Sequence, residues 1–355
     1  ARASPLLAAA GGWCQDEASC GARALTPLGS MDAYIKRSGM TLTVGEGELN
    51  GLPEYNPHFY NWSAISPVYC DGSNYAGVTT HGNLTVAGRQ ILTSVLDAAL
   101  VEMNLAETLE EIVLTGCSAG GTGVYFNVDF VREYVQSQLT GTARTLKMRA
   151  FGNAGWFLDT NKVGWNGDGW SKVPGIQRGC DTKLFTWAGL AATLSTSCQA
   201  SYAPLGEQWK CAMSQYLYPF IESPTLVLQS SYDLNQLVTG GPKCVNAAIS
   251  GGEPLRPYPN TFSECSATEV EVINRYGDAL NASMVIARRG GAVFAPTCTI
   301  HCYTGHWTQI KIGGVTMADA IGQFQAARDP RGLVWYDTCR GGNCNPTCPT
   351  HPAAE

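Results

Sequence analysis

Glycine brackets a serine at Gly116-Cys117-Ser118-Ala119-Gly120, and the flanks of this pentapeptide constrain the fold more than any other stretch of the chain. Before it, Glu111-Ile-Val-Leu-Thr has the apolar, β-branched content of a short buried strand, with Ile112 to Thr115 as its centre. After it, residues 120–138 carry apolar groups at helical spacing. A chain that passes from strand to helix this abruptly strains its backbone, and glycine on both sides of the serine keeps neighbouring side chains from colliding. The turn lifts the hydroxyl above the sheet and aims the helix N-terminus at any negative charge that develops there. A glycine-rich turn with an inert serine is the plain alternative, and in a chain with 40 glycines the pentapeptide alone does not exclude it.

The rest of the sequence alternates β-rich runs with longer amphipathic stretches, the pattern of a mostly parallel sheet flanked by helices. Leu6 to Ala10 reads as the end of a strand running into Gly11-Gly12-Trp13. Residues 87–104 read as helix, 148–152 and 224–230 as strands, 268–287 as helix, 291–295 as strand and 316–328 as the last helix. Residues 160–205, rich in Gly, Thr, Ser and Trp, are expected to form an irregular insertion. The expectation is therefore an α/β-hydrolase-like catalytic domain over residues 1–338, followed by a Cys/Pro-rich tail over 339–355.

No apolar run approaches the 18 residues that a membrane span requires, so none is expected. A net charge of −6 argues against nucleic acid or anionic lipid as a general partner. Fourteen cysteines, from Cys14 to Cys348, fit disulfides in an oxidising compartment better than a cytosolic metal site. Cys339, Cys344, Cys348 and His351 are the one metal-like group, but their irregular spacing and the intervening Gly, Asn and Pro argue for bridges. Sequons at Asn61, Asn83 and Asn281 add modest support for secretion. The first residues hold no initiator Met and are too short for a signal peptide, which reads as a processed or incomplete start.

A serine hydroxyl attacks only when a base removes its proton. In this fold class the acid and the histidine follow the serine, which leaves His301, His306 and His351 of the five histidines. His351 falls in the tail. His301 stands between Cys298 and Cys302, just after a strand, and is favoured on position over His306. Asp233 directly follows the strand-like Thr225-Leu-Val-Leu-Gln and is the candidate third member, although a helix N-cap would explain it equally. Asp278 and Asp181 lack that position. The N–H of Ala119 is a candidate oxyanion donor, and Gly12 and Trp13 follow an early strand as the second donor loop should. A tight turn with a core tryptophan explains that dipeptide as well.

Assembled in this order, these residues resemble the pectin acetylesterase/Notum family. The likeness rests on Gly11-Gly-Trp-Cys with Cys20 six positions after Cys14, on the Gly116-Cys-Ser-Ala-Gly-Gly elbow, and on Tyr232-Asp233 with Gln236 and Leu237. It continues in Cys298-Thr-Ile-His301, His306-Trp-Thr and the closing Cys344-Asn-Pro-Thr-Cys-Pro, with Val68-Tyr-Cys-Asp-Gly-Ser similar to the family's strand leading to a polar loop. The resemblance implies Ser118 as nucleophile, Asp233 as acid, His301 rather than His306 as base, and Gly12, Trp13 and Ala119 as the oxyanion hole. It also implies a Cys14–Cys20 bridge. Relatives have further strands before the Gly-Gly-Trp loop, whereas ten residues precede Gly11 here, so a sheet short of N-terminal strands is expected. The implied activity is an extracellular serine carboxylesterase, needing no metal or organic cofactor. Its expected substrate is an acetylated polysaccharide such as pectin, the alternative being an acylated secreted protein. A non-catalytic recognition protein on the same fold is the rival of another class.

Overall fold

The computed structural model describes residues 2–9, 12–30, 32, 33, 36, 47–140, 145–159, 176–242, 244, 245, 262, 265–303 and 305–349. Its centre is a sheet of seven strands: β1 (Arg2–Ala9), β2 (Ser63–Ile65), β3 (Glu111–Ser118), β4 (Lys147–Asn153), β5 (Thr225–Leu228), β6 (Ala292–Ala295) and β7 (Val334–Tyr336). They lie in the order β2-β1-β3-β4-β5-β6-β7, and every pair is parallel. A parallel sheet is covered on both faces, so its strands read as continuous apolar runs. In β3, Ile112 and Leu114 enter one core and Val113 the other.

Two helices cover the first face. On α2 (Gly88–Glu102) Leu92, Leu96 and Leu100 form a stripe, and on α3 (Ala119–Gln138) Val124, Val128, Val131 and Val135 do the same. The opposite face is packed by α7 (Met317–Ala326), through Met317, Ile321 and Phe324. Between α3 and α7 in the chain come α4 (Ile176–Trp187), α5 (Leu234–Gly240) and α6 (Ala267–Ser283), and the short α1 (Glu17–Ala24) follows β1. Capping boxes fix where several of these begin: Asp16 with Ser19, Ser266 with Glu269, and Thr316 with Asp319.

Two expectations change. Residues 176–205 are not irregular: α4, a 3-10 turn at Leu190–Ala192 and a helix at Thr196–Tyr202 occupy them, while 160–175 lie outside the described residues. Their polar composition hides a buried face of Leu184, Leu190 and Leu194, pinned by the Cys198–Cys211 disulfide. The strand expected at Val68 lies earlier, at Ser63–Ile65. The first strand is interior to the sheet, with β2 on one side and β3 on the other.

Six disulfides join described cysteines: Cys14–Cys20, Cys117–Cys302, Cys198–Cys211, Cys244–Cys265, Cys298–Cys348 and Cys339–Cys344. The tail cysteines considered as metal ligands are therefore committed to bridges. Among the described residues no helix is long and apolar enough to cross a membrane.

Candidate active site

The strand order reverses between β1 and β3, because the chain leaves β1 for β2 and then returns past it. In open α/β sheets ligands bind at such a switch point, beyond the carboxyl ends of the strands. Here Ala9 pairs with Ser118 at the ends of β1 and β3, which sets the Gly12-Trp13 loop beside the serine turn.

Ser118 is buried and has φ 58° and ψ −122°, a left-handed region that costs a non-glycine residue about 1–3 kcal/mol. Close packing behind the turn requires glycine: a Cβ on Gly121 would stand 2.4 Å from the Asn153 carbonyl oxygen and 2.9 Å from the Gly155 nitrogen. The first turn of α3 thus rests directly on the backbone after β4, with Ala119 completely buried at its N-terminus.

Asp233 and His301 meet. The imidazole Nδ1 of His301 lies 3.0 and 2.9 Å from the two carboxylate oxygens of Asp233, which is fully buried. Asp233 is also the N-cap of α5, its Oδ1 accepting from the Gln236 N–H at 3.0 Å, so the two readings of this residue hold together. The Gln229 amide donates to Oδ2 at 3.0 Å. The other ring nitrogen of His301, Nε2, is buried and makes no hydrogen bond among the described residues. His306 sits apart, buried with Gln309 near its Nδ1, and His351 lies outside the described residues. Asp278 ion-pairs with Arg340 on the surface, and Asp181 is buried within α4.

Gly12 adopts φ +61°, and Trp13 packs edge-on against Phe157 with ring centroids 5.2 Å apart. Phe157 in turn lies 6.3 Å from the His301 ring, so one aromatic side chain bridges the Gly12-Trp13 loop and the histidine. The Cys14–Cys20 bridge closes this loop, and the Cys14 N–H donates to the Gly72 carbonyl at 3.0 Å. Behind it, residues 69–75 turn through positive φ at Gly72, Asn74 and Tyr75, and Ser73 hydrogen-bonds the Asp71 carboxylate. Burial pushes the Asp71 carboxyl up to about 7, against the pull of the Arg23 guanidinium.

Composition gave no signal for several supporting groups. Gln229 uses its amide oxygen to accept from the Trp156 N–H, and Gln236 accepts from the Leu158 N–H, so the two glutamines beside Asp233 also hold the segment that carries Phe157. The histidine loop is fastened from the far end of the chain. Thr297 N–H donates to Asp337, Thr299 N–H to Asn343, and Cys298 is bridged to Cys348. Tyr303 donates to Ser230 at 2.8 Å. Of the sequon asparagines, Asn61 and Asn83 are exposed, whereas Asn281 is half-buried on α6 with its side-chain oxygen accepting from Ser231 and Arg288.

Fold and site together define an α/β-hydrolase in which a buried Asp–His pair shares the carboxyl end of a parallel sheet with a strained serine turn. The family model for pectinacetylesterase matches residues 6–349, and the chain belongs to that family of carboxylic ester hydrolases. It is 26% identical to pectin acetylesterase 7 of Arabidopsis thaliana over 351 residues, covering 96% of this chain and 82% of that protein. It is likewise 26% identical to the palmitoleoyl-protein carboxylesterase notum2 of Xenopus laevis, covering 96% of this chain and 66% of that protein. The structure of the Wnt deacylase Notum from Drosophila superposes with a TM-score of 0.74 at 25% identity, covering 98% of this chain and 90% of that one.

Proposed function

We propose that this chain is an extracellular serine carboxylesterase that removes short acyl groups, acetyl above all, from a polysaccharide such as pectin. The observation that carries the reading is the buried Asp233–His301 pair, whose unengaged Nε2 is the nitrogen a catalytic base presents to a serine. His301 takes the Ser118 hydroxyl proton through Nε2 as the oxygen attacks the ester carbonyl. The imidazolium is held by Asp233, and the oxyanion accepts from the N–H groups of Gly12, Trp13 and Ala119. The alcohol departs with the proton from His301. Water, deprotonated by the same nitrogen, then splits the acyl-serine ester and releases the acid. No step calls on a metal or organic cofactor.

The acetyl substrate asks for no specialised acyl tunnel, and the chain is 26% identical to a plant pectin acetylesterase over 96% of its length. The match to Drosophila Notum over nearly the whole chain supports the second reading, an esterase acting on an acylated secreted protein. Hydrolysis of p-nitrophenyl esters from acetate to palmitate, with Ser118→Ala in parallel, tests both. The expectation is an optimum at acetate to butyrate and no turnover by the variant. An optimum at long chains transfers the proposal to the lipid-bearing substrate. Folded protein that hydrolyses none of the series and ignores a fluorophosphonate defeats the esterase reading in favour of a recognition protein.

A further inference from the structure

The sheet does not by itself bring the serine turn and the histidine together. His301 follows β6, Ser118 ends β3, and β4 and β5 lie between them. Adjacent strands stand about 4.8 Å apart, so three steps separate the two strand ends by roughly 14 Å. The segment after Ala295 must therefore run back across the ends of β5 and β4 to reach the serine. Asp233, after β5, holds the imidazole ring partway along that path. The end of the path is fixed covalently: Cys117, the residue before Ser118, is bonded to Cys302, the residue after His301, with Cα atoms 6.0 Å apart across 185 positions of sequence. Both cysteines are half-buried rather than sealed in the core.

We propose that the Cys117–Cys302 disulfide is a positioning element of the active site, holding the histidine loop at reaction distance from the serine turn, so that opening it lowers turnover in a chain that remains folded. This rests on the Ser118–His301 reading above. The Cys298–Cys348 bridge and the Asn343 hydrogen bonds tie the loop to the tail that follows β7, and the Tyr303 hydroxyl ties it to Ser230 after β5, neither of which reaches the serine turn. With the Cys117–Cys302 bond gone, the loop keeps its anchor to the tail and its hydrogen bond to Asp233 but loses its tie to the nucleophile. A displacement of about 1 Å between reacting groups costs on the order of 10²-fold in rate.

The test compares the parent with Cys117→Ser/Cys302→Ser at 25 °C, measuring kcat and KM on p-nitrophenyl acetate, the rate of fluorophosphonate labelling, and the circular dichroism spectrum. The expected result is a 10- to 100-fold fall in kcat, a parallel fall in labelling rate, KM within threefold and an unchanged spectrum. A folded double variant with kcat within threefold of the parent, or one altered in KM alone, overturns the proposal. If the double variant does not fold, the native protein is titrated with dithiothreitol. Each opened bond takes two electrons and two protons from the dithiol, which leaves as a cyclic disulfide, and the new thiols are alkylated and mapped by mass spectrometry. Loss of kcat that follows alkylation of Cys117 and Cys302, and that reoxidation of an unalkylated sample reverses, supports the proposal. Full kcat with both thiols alkylated overturns it. Activity retained by Ser118→Ala would instead remove the nucleophile reading and this inference with it.

Discussion

Asp233→Asn puts an amino group where the structure has places only for acceptors. Each carboxylate oxygen of Asp233 already receives a donor besides His301: the Gln236 backbone N–H on Oδ1 and the Gln229 side-chain amide on Oδ2. The backbone donor cannot turn away. Gln229 cannot flip its amide without giving up the Trp156 N–H, which its oxygen accepts at 3.0 Å. Whichever way the new asparagine faces, one donor meets another in a fully buried site, at a cost of about 1–3 kcal/mol. The N-cap itself survives, since asparagine caps helices as well as aspartate does. The catalytic effect is larger, because a neutral partner neither selects the Nδ1–H tautomer of His301 nor stabilises the imidazolium. The equivalent change in serine hydrolases lowers kcat about 10⁴-fold. The expected outcome on p-nitrophenyl acetate is a 10³- to 10⁴-fold lower kcat with KM little changed. Denaturant unfolding should show a loss of about 1–3 kcal/mol. A variant keeping more than a tenth of the parental kcat would refute the claim that Asp233 orients the base.

Gly121→Ala drives a methyl group into the Asn153 carbonyl, so it should cost roughly 1–3 kcal/mol in urea unfolding and lower kcat, because the serine turn rides on the same helix. Asp71 gives a pH dependence. Burial raises its folded carboxyl to about 7 from the ordinary 3.8, so the native state binds more protons than the unfolded chain between those values. Its contribution is therefore fully favourable below about pH 4 and is lost as pH rises to about 7, amounting to a few kcal/mol at about 1.4 kcal/mol per unit. Asp71→Asn should flatten that trend, and stability curves of parent and variant that stay parallel from pH 4 to 8 would contradict it. In a secretory host, Asn61→Gln and Asn83→Gln should each remove one glycan by intact mass. Asn281→Gln should remove none, since that amide is engaged on α6.

Elements built on long apolar periodicity were readable from sequence. α2 and α3 begin and end within two residues of the expected bounds, and β3 and β4 extend the expected strands by a few residues at most. The serine turn was legible because its glycines are a steric requirement. Short strands were not legible: β2 and β7 are three residues each, too brief for any period, and their place depends on pairing with β1 and β6. The helices within 176–205 were hidden by Thr, Ser and Gly, residues that favour turns locally and are overruled by burial of Leu184, Leu190 and Leu194. At the site, the acid, the base and the serine could be ranked by their position after strands. Gln229 and Phe157 could not, because nothing in a lone glutamine or phenylalanine shows which carboxylate or ring it will meet. The Cys117–Cys302 pair spans 185 positions, and fourteen cysteines leave too many pairings for spacing to choose it.

The bracing of the histidine loop by Asp337, Asn343 and Cys348 also bears on when the protein becomes competent during its synthesis. All seven strands of the sheet and the residues of the Ser118, Asp233 and His301 set are translated before position 337, yet the Thr297 and Thr299 N–H groups of the histidine loop donate to Asp337 and Asn343, which come later. A nascent chain paused with its sheet complete would hold the histidine loop through Cys302, Tyr303 and Asp233 but lack the braces that the tail supplies. On the proposed reading the final segment is a closing signature, since its bridge and hydrogen bonds reach the histidine loop only in chains read through to Cys348.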